Sequence, residues 1–231
     1  MDFSGFEKLS LVDFDNTIAC TLFVSKCQFR CPFCHNSPLV LQADEQPIIS
    51  FDEIIDYLRK RAGVLEGVVI SGGEPTLMPD LKAKIIQIRE LGYKIKLDTN
   101  GYNPKILKEL VSEKLVDYVA MDIKNSRKKY AETCGLEYLD LNRIDESVSF
   151  LLEGNVDYEF RTTLIDEYHG FEDIKEIATW ISGAKKYALQ RFKDNNCIKE
   201  GLHEVELKKA QEFLELISPY VKDIKLRGYD I

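Results

Sequence analysis

Three cysteines fall within eight residues, Cys27-Gln-Phe-Arg-Cys31-Pro-Phe-Cys34, with Phe33 just before the third and His35-Asn36 after it. A thiolate is the preferred protein ligand for iron–sulfur clusters and zinc, and three on one short loop can wrap a single inorganic centre. A zinc ion would want a fourth ligand, and zinc sites usually come as two separated cysteine pairs. The sequence has no second C-x2-C pair, and His35 adjoins Cys34, where neighbouring side chains rarely reach one metal. Three ligands on a four-iron cubane leave one iron open for a substrate. A zinc- or iron-binding scaffold stays open on the triplet alone.

Other residues with chemical potential sit where strands are expected to end. Ser71-Gly-Gly-Glu-Pro75 puts two glycines after an apolar run, so the backbone can approach a ligand and offer it N–H and C=O groups. Taken singly it is a tight βα turn. Asp98-Thr99 offers oxygen ligands or a ribose contact, and taken singly it is a helix cap. Asp122 and Lys124 lie two apart on a strand and point the same way; the plain alternative is a surface ion pair. Following the cysteine triplet, each at its own strand end, they converge on one mouth.

The elements that must position these groups alternate regularly. Residues 1–16 read as an extended lead-in. Thr17–Val24 is a β-branched run expected to be a buried strand, with Cys20 inside it, and the cysteine loop follows at its C-terminal end. Ser50-Phe-Asp-Glu53 is a capping box that starts a helix stopped by Gly63. Gly67–Ile70, Lys94–Leu97, Val116–Ile123, Val156–Leu164 and Tyr187–Phe192 are five more strands. Pro79, Asn103-Pro104, Asn142, Phe171 and Glu204 open the intervening and final helices. Six strands, each followed by a helix, make a parallel sheet covered by helices, a single α/β domain. Six units are too few for a closed eight-fold barrel, and on pattern alone a doubly wound sheet and an open partial barrel both stay open. The core spans 17–192, and 193–231 carry a helix and tail.

The 231 residues, 45% of them hydrophobic, can bury a substantial core. No apolar run is long enough for a membrane span, and Met1-Asp2 starts no signal-peptide pattern. The expectation is a cytoplasmic protein with no membrane partner. A net charge of −8 without a basic cluster argues against a nucleic-acid partner. Six cysteines in so large a chain without an export signal do not form a disulfide framework.

Taken together, Cys27–Asn36, Ser71–Thr76, Asp98-Thr-Asn-Gly101, Met121-Asp-Ile-Lys124 and Leu189-Gln-Arg-Phe192 resemble the radical S-adenosylmethionine (SAM) superfamily. Within it the chain is most similar to the glycyl-radical-enzyme activating enzymes, and most specifically to the activating proteins of anaerobic ribonucleoside-triphosphate reductase. Three positions depart from the usual pattern: Lys26 where a glycine is common, Gln28 where an Asn is common, and Asp15-Asn16 where a Pro-Gly turn is common. The resemblance implies an open (βα)6 partial barrel in which Cys27, Cys31 and Cys34 hold a [4Fe-4S] cluster whose fourth iron is chelated by SAM. It implies that Phe33 lies against the adenine, that Gly72, Gly73 and Glu74 bind the methionyl amino group, and that Lys124 binds the carboxylate. Gln190 joins the cofactor-binding set, and Asp98, Thr99, Met121 and Asp122 match a monovalent-cation site. The implied activity is reductive cleavage of SAM to a 5′-deoxyadenosyl radical that generates a glycyl radical on a partner, with a flavodoxin or ferredoxin-type electron donor. A radical SAM enzyme acting on a small molecule, such as a 7-carboxy-7-deazaguanine synthase-like reaction or a cofactor maturation, is the alternative. The longest stretch without an expected element, Asn125–Leu141, holds Arg127, Lys128, Lys129 and Tyr130; it reads equally as a segment that helps dock the partner or as a plain surface loop.

Overall fold

Uninterrupted apolar runs become strands buried on both faces, as central parallel strands require. In β2 (Ala19–Val24) and β3 (Gly67–Gly72), the side chains of Cys20, Leu22, Val68, Val69 and Ile70 are all inaccessible to solvent. The computed structural model describes residues 2–195 and 197–229; Met1 of the expected lead-in, and Asn196 and residues 230–231 of the expected tail, lie outside the described residues. The described strands follow sequence order in a mostly parallel eight-stranded sheet, β1 to β8. By packing, the chain falls into two units that interleave: residues 1–28, 38–120 and 155–157, and residues 29–37, 121–154 and 158–231. Because their segments alternate along the chain, no linear boundary separates them.

In the first unit the expected lead-in contains a true strand, β1 (Gly5–Ser10), antiparallel to β2 with Gly5 opposite Phe23 and Glu7 opposite Thr21. β2 runs parallel to β3 (Ala19↔Gly67 to Val24↔Gly72), and β3 to β4 (Lys94–Thr99; Gly67↔Lys94 to Ile70↔Leu97). The turn at Asp15-Asn16 works without Pro-Gly because Asn16 takes the left-handed conformation itself, φ 55°, which Asn tolerates better than most residues. A short helix α1 (Ser37–Leu41) precedes α2 (Phe51–Lys60), α3 (Leu81–Glu90) and α4 (Pro104–Ser112). The Ser50 hydroxyl accepts from the Glu53 N–H at 3.2 Å, so the cap forms as its sequence dictates. Asn103, expected to cap α4, instead donates from its side chain to the Thr76 carbonyl at 3.1 Å. It staples the turn after β3.

The second unit takes the end of β5 (Tyr118–Asp122), then β6 (Asp157–Leu164), β7 (Lys186–Arg191) and β8 (Asp223–Arg227). β6 to β8 are parallel, with Phe160↔Tyr187 and Gln190↔Arg227 in register. β8 falls in the expected tail. Arg227 on it donates two bonds, 3.0 and 2.6 Å, to the carboxylate of buried Glu159 on β6. α5 (Tyr130–Thr133), α6 (Leu141–Leu152), α7 (Phe171–Trp180) and α8 (Leu207–Ile217) complete the unit. The candidate docking stretch is a 3-10 turn, Arg127–Lys129, leading into α5. Arg127 pairs with Asp145 at 2.8 Å and lies 4.3 Å over the Trp180 ring, Lys129 pairs with Asp173 at 2.7 Å, and Tyr130 is fully buried. Those groups tie the segment to its own helices.

Candidate active site

In the first unit, Cys27 leaves β2 through Lys26, a non-glycine residue at φ 73°. The common glycine at this position thus answers a backbone need, which Lys26 meets under strain. Its N–H donates to the Leu39 carbonyl at 2.8 Å, and its carbonyl accepts from the Glu74 N–H at 2.8 Å; the Gly73 N–H donates to the Val24 carbonyl at 2.8 Å. A Cβ on Gly73 would stand 2.0 Å from the Lys26 carbonyl oxygen, and one on Gly72 (φ +116°) 2.4 Å from the Val24 backbone. The two glycines, read from sequence as room for a ligand, are demanded first by the chain that leads into Cys27.

The Glu74 carboxylate is enclosed, 1% exposed. It accepts from the Thr76 N–H (3.1 Å) and hydroxyl (2.6 Å), the Thr99 hydroxyl (2.8 Å) and the Asn100 N–H (2.7 Å). Three of these donors reach one carboxylate oxygen and one the other, so the side chain is fixed in place by its own turn and the next. It clamps the turn after β3 to the turn after β4. Asn100, missed from sequence although it stands in Asp98-Thr-Asn-Gly101, is the product of that clamp: its side-chain N–H points at the Cys27 sulfur, 3.7 Å away, and its carbonyl accepts from Gln28 at 3.0 Å.

Asp98 and Thr99 leave opposite faces of β4. Asp98 accepts from the Ser71 hydroxyl at 3.1 Å and faces the buried ammonium of Lys96, 3.5 Å away, while Thr99 is committed to Glu74 and to the Gly101 N–H at 3.1 Å. Lys96, with two charged neighbours of its own type pattern on an amphipathic-looking strand (Lys94, Lys96, Asp98), gave no sequence signal for burial.

In the second unit the loop closes on itself through the Cys34 N–H and Cys31 carbonyl, 3.0 Å apart. Cys31 is buried, and a hydrogen bond with the Cys134 side chain, followed by the charge of Lys124, holds its thiol below the ordinary value against burial. Cys134 was a lone cysteine in sequence; here the Arg30 N–H donates to its carbonyl at 2.8 Å, and Gly135 gives the Arg30 carbonyl its space. Burial pushes the Cys34 thiol up. Phe33 is buried with its ring centroid 6.2 Å from that of Tyr168, and His35 stacks on Phe192 at 5.6 Å.

Asp122 and Lys124 do share a face of the chain, 3.0 Å apart, and Arg161 adds a second cation 2.9 Å from the other Asp122 oxygen. Burial opposes the Asp122 carboxylate, yet Arg161 and then Lys124 hold its pKa down to about 2. Burial opposes the Lys124 ammonium too, but Asp122 and next Cys31 raise it well above the usual lysine value, so it is charged at any working pH. His169, missed from sequence, fixes this lysine's backbone: its Nδ1 accepts from the Ile165 N–H at 3.0 Å, which leaves Nε2–H to donate to the Lys124 carbonyl at 3.0 Å. The Met121 side chain is fully buried on the face opposite Asp122, and Gln190 is half-buried near the end of β7. Cys20 is a core residue whose burial pushes its thiol up to about 12.

Residues 21–181 match the model of the radical SAM superfamily. The chain belongs to that superfamily. Across 97% of this chain and 95% of its own length, a protein of Methanocaldococcus jannaschii that carries the provisional name glycyl-radical enzyme activating enzyme is 32% identical. Among solved structures, Streptococcus suis SuiB covers 92% of this chain at TM-score 0.71 and 16% identity, this chain spanning 51% of it. A domain of the pyruvate-formate lyase-activating enzyme of Bacteroides vulgatus covers 71% of this chain and matches over 99% of its own, at TM-score 0.58 and 19% identity. These two likenesses are of fold.

As a radical SAM protein the chain uses a [4Fe-4S] cluster and SAM, its homology to glycyl-radical enzyme activating enzymes makes it an oxidoreductase, and the donors present suit such a group. Each thiolate of a cubane binds its own iron, so the three sulfurs need not meet at a point. An amide N–H aimed at Cys27 and a fixed ammonium beside Cys31 both favour thiolate over thiol. The described helices include none long and apolar enough to cross a membrane.

Proposed function

We propose that this radical SAM enzyme generates a glycyl radical on a partner protein, and that the partner is an anaerobic ribonucleoside-triphosphate reductase supplied with electrons by a flavodoxin or ferredoxin-type donor. The observation that carries the reading is likeness to a glycyl-radical enzyme activating enzyme over nearly the full length of both chains. The Leu189-Gln-Arg-Phe192 strand supports the choice of reductase.

Bound together, cluster and SAM supply a reactive carbon radical that abstracts hydrogen. The chain's own residues do the rest. Cys27, Cys31 and Cys34 would hold the cluster. Asn100 steadies the Cys27 sulfur and Cys134 that of Cys31. Gly72, Gly73 and Glu74 would bind the methionyl amino group, and Glu74 also keeps that turn in place. Lys124, charged and held by His169 and Asp122, takes the carboxylate, while Phe33 packs on the adenine and Gln190 completes the cofactor's surroundings.

The test is to mix reduced protein, SAM and a candidate reductase without oxygen. A glycyl-radical EPR doublet should appear on the reductase, with deoxyadenosine formed in step with it. SAM cleavage that leaves every candidate partner without a radical, while a purine precursor or other metabolite is converted, would move the reading to a small-molecule enzyme.

A further inference from the structure

The resemblance gathers Asp98, Thr99, Met121 and Asp122 around a monovalent cation, and these residues do not fit that task here. The Lys96 side chain is 6% exposed, leaves the same face of β4 as Asp98, and stands 3.5 Å from its carboxylate. Its ammonium also donates to the Asp13 carbonyl and lies 5.8 Å from the centre of the Tyr118 ring. The other Asp98 oxygen is bonded to Ser71, and the Thr99 hydroxyl donates to Glu74 and accepts from Gly101. Asp122 in turn faces Lys124 and Arg161. Each carboxylate that would bind a mobile ion therefore already faces a cation of the chain itself. A buried ammonium is costly to desolvate and is kept only where its charge is used or paired.

We infer that Lys96 stands in for the monovalent cation, so that this protein binds SAM without sodium or potassium. The inference rests on the reading that SAM is held at these strand ends, and it makes Lys96 a positioning residue, acting through Asp98. A tethered cation does the same electrostatic work as a bound one without depending on the ionic composition around it.

The experiment compares SAM affinity of the cluster-loaded protein in potassium, sodium and tetramethylammonium chloride at equal ionic strength. The wild-type values should agree within about twofold, because no site is left for the ion to fill. Lys96→Ala opens space beside Asp98: its affinity should fall roughly tenfold or more in tetramethylammonium and recover in potassium or sodium. Lys96→Met fills the space without the charge and should not recover. Metal-free Lys96→Ala should also melt higher in potassium than in tetramethylammonium, whereas the metal-free wild type should not. A wild-type affinity that drops more than about fivefold without small cations overturns the inference. So does a Lys96→Ala variant that binds as the wild type does in tetramethylammonium, or one whose loss no ion restores. Absence of SAM binding in every salt would instead refute the cofactor reading beneath it.

Discussion

Replacing Gly73 by Ala tests whether the turn after β3 is shaped by the chain around Cys27. The added Cβ would stand 2.0 Å from the Lys26 carbonyl oxygen and 2.7 Å from its carbon, where ordinary contact begins at 3.4 Å. One backbone must therefore retreat by about 1.4 Å. Neither can do so freely, since Lys26 is bonded to both Leu39 and Glu74. Overpacking costs about 1–3 kcal/mol, and a clash with backbone belongs at the upper end. For a chain of this size, about 3 kcal/mol lowers Tm by roughly 6–12 °C. Thermal melting of the metal-free protein reads this directly. Gly183→Ala is the control: Gly183 has φ +89° with nothing within 4 Å of a Cβ, so only left-handed strain of about 1–2 kcal/mol applies. If Gly73→Ala melts like the wild type, or no lower than Gly183→Ala, the packing argument for the Gly-Gly pair is refuted.

Lys26→Gly should stabilise the metal-free protein by about 0.5–1 kcal/mol, the left-handed strain relieved less the glycine entropy added, seen as a higher urea midpoint. Because the folded pKa of Asp122 is depressed from 3.8 to about 2, its contribution is present above pH 3.8 and is lost as pH falls through 2. That contribution is about 2 kcal/mol, and Asp122→Asn should flatten the wild-type urea stability profile over this window while lowering it above. Cys27→Ala, Cys31→Ala or Cys34→Ala should each abolish the SAM-responsive EPR signal of the reduced cluster, whereas Cys20→Ala, Cys134→Ala and Cys197→Ala should keep it; a triplet variant with an intact signal would sink the ligand assignment.

What the sequence determined by itself is local. The C-x3-C-x2-C spacing, the caps and the apolar periods depend on neighbours a few residues apart, so β2 to β7 and their helices were legible, as was the shared face of Asp122 and Lys124. Polar edge strands were not: β1 and β8 carry half-exposed side chains and win their place by pairing with β2 and β7. The tertiary structure decided where each polar group spends its bonds. Glu74 and Thr99 are bonded to each other because two turns separated by 25 residues meet, which no local pattern announces. Asn100, Cys134 and His169 look ordinary and are brought against Cys27, Cys31 and Lys124. Burial of Lys96 beside Asp98 was equally invisible, since a sequence fixes which residues share a strand face but not whether that face meets water.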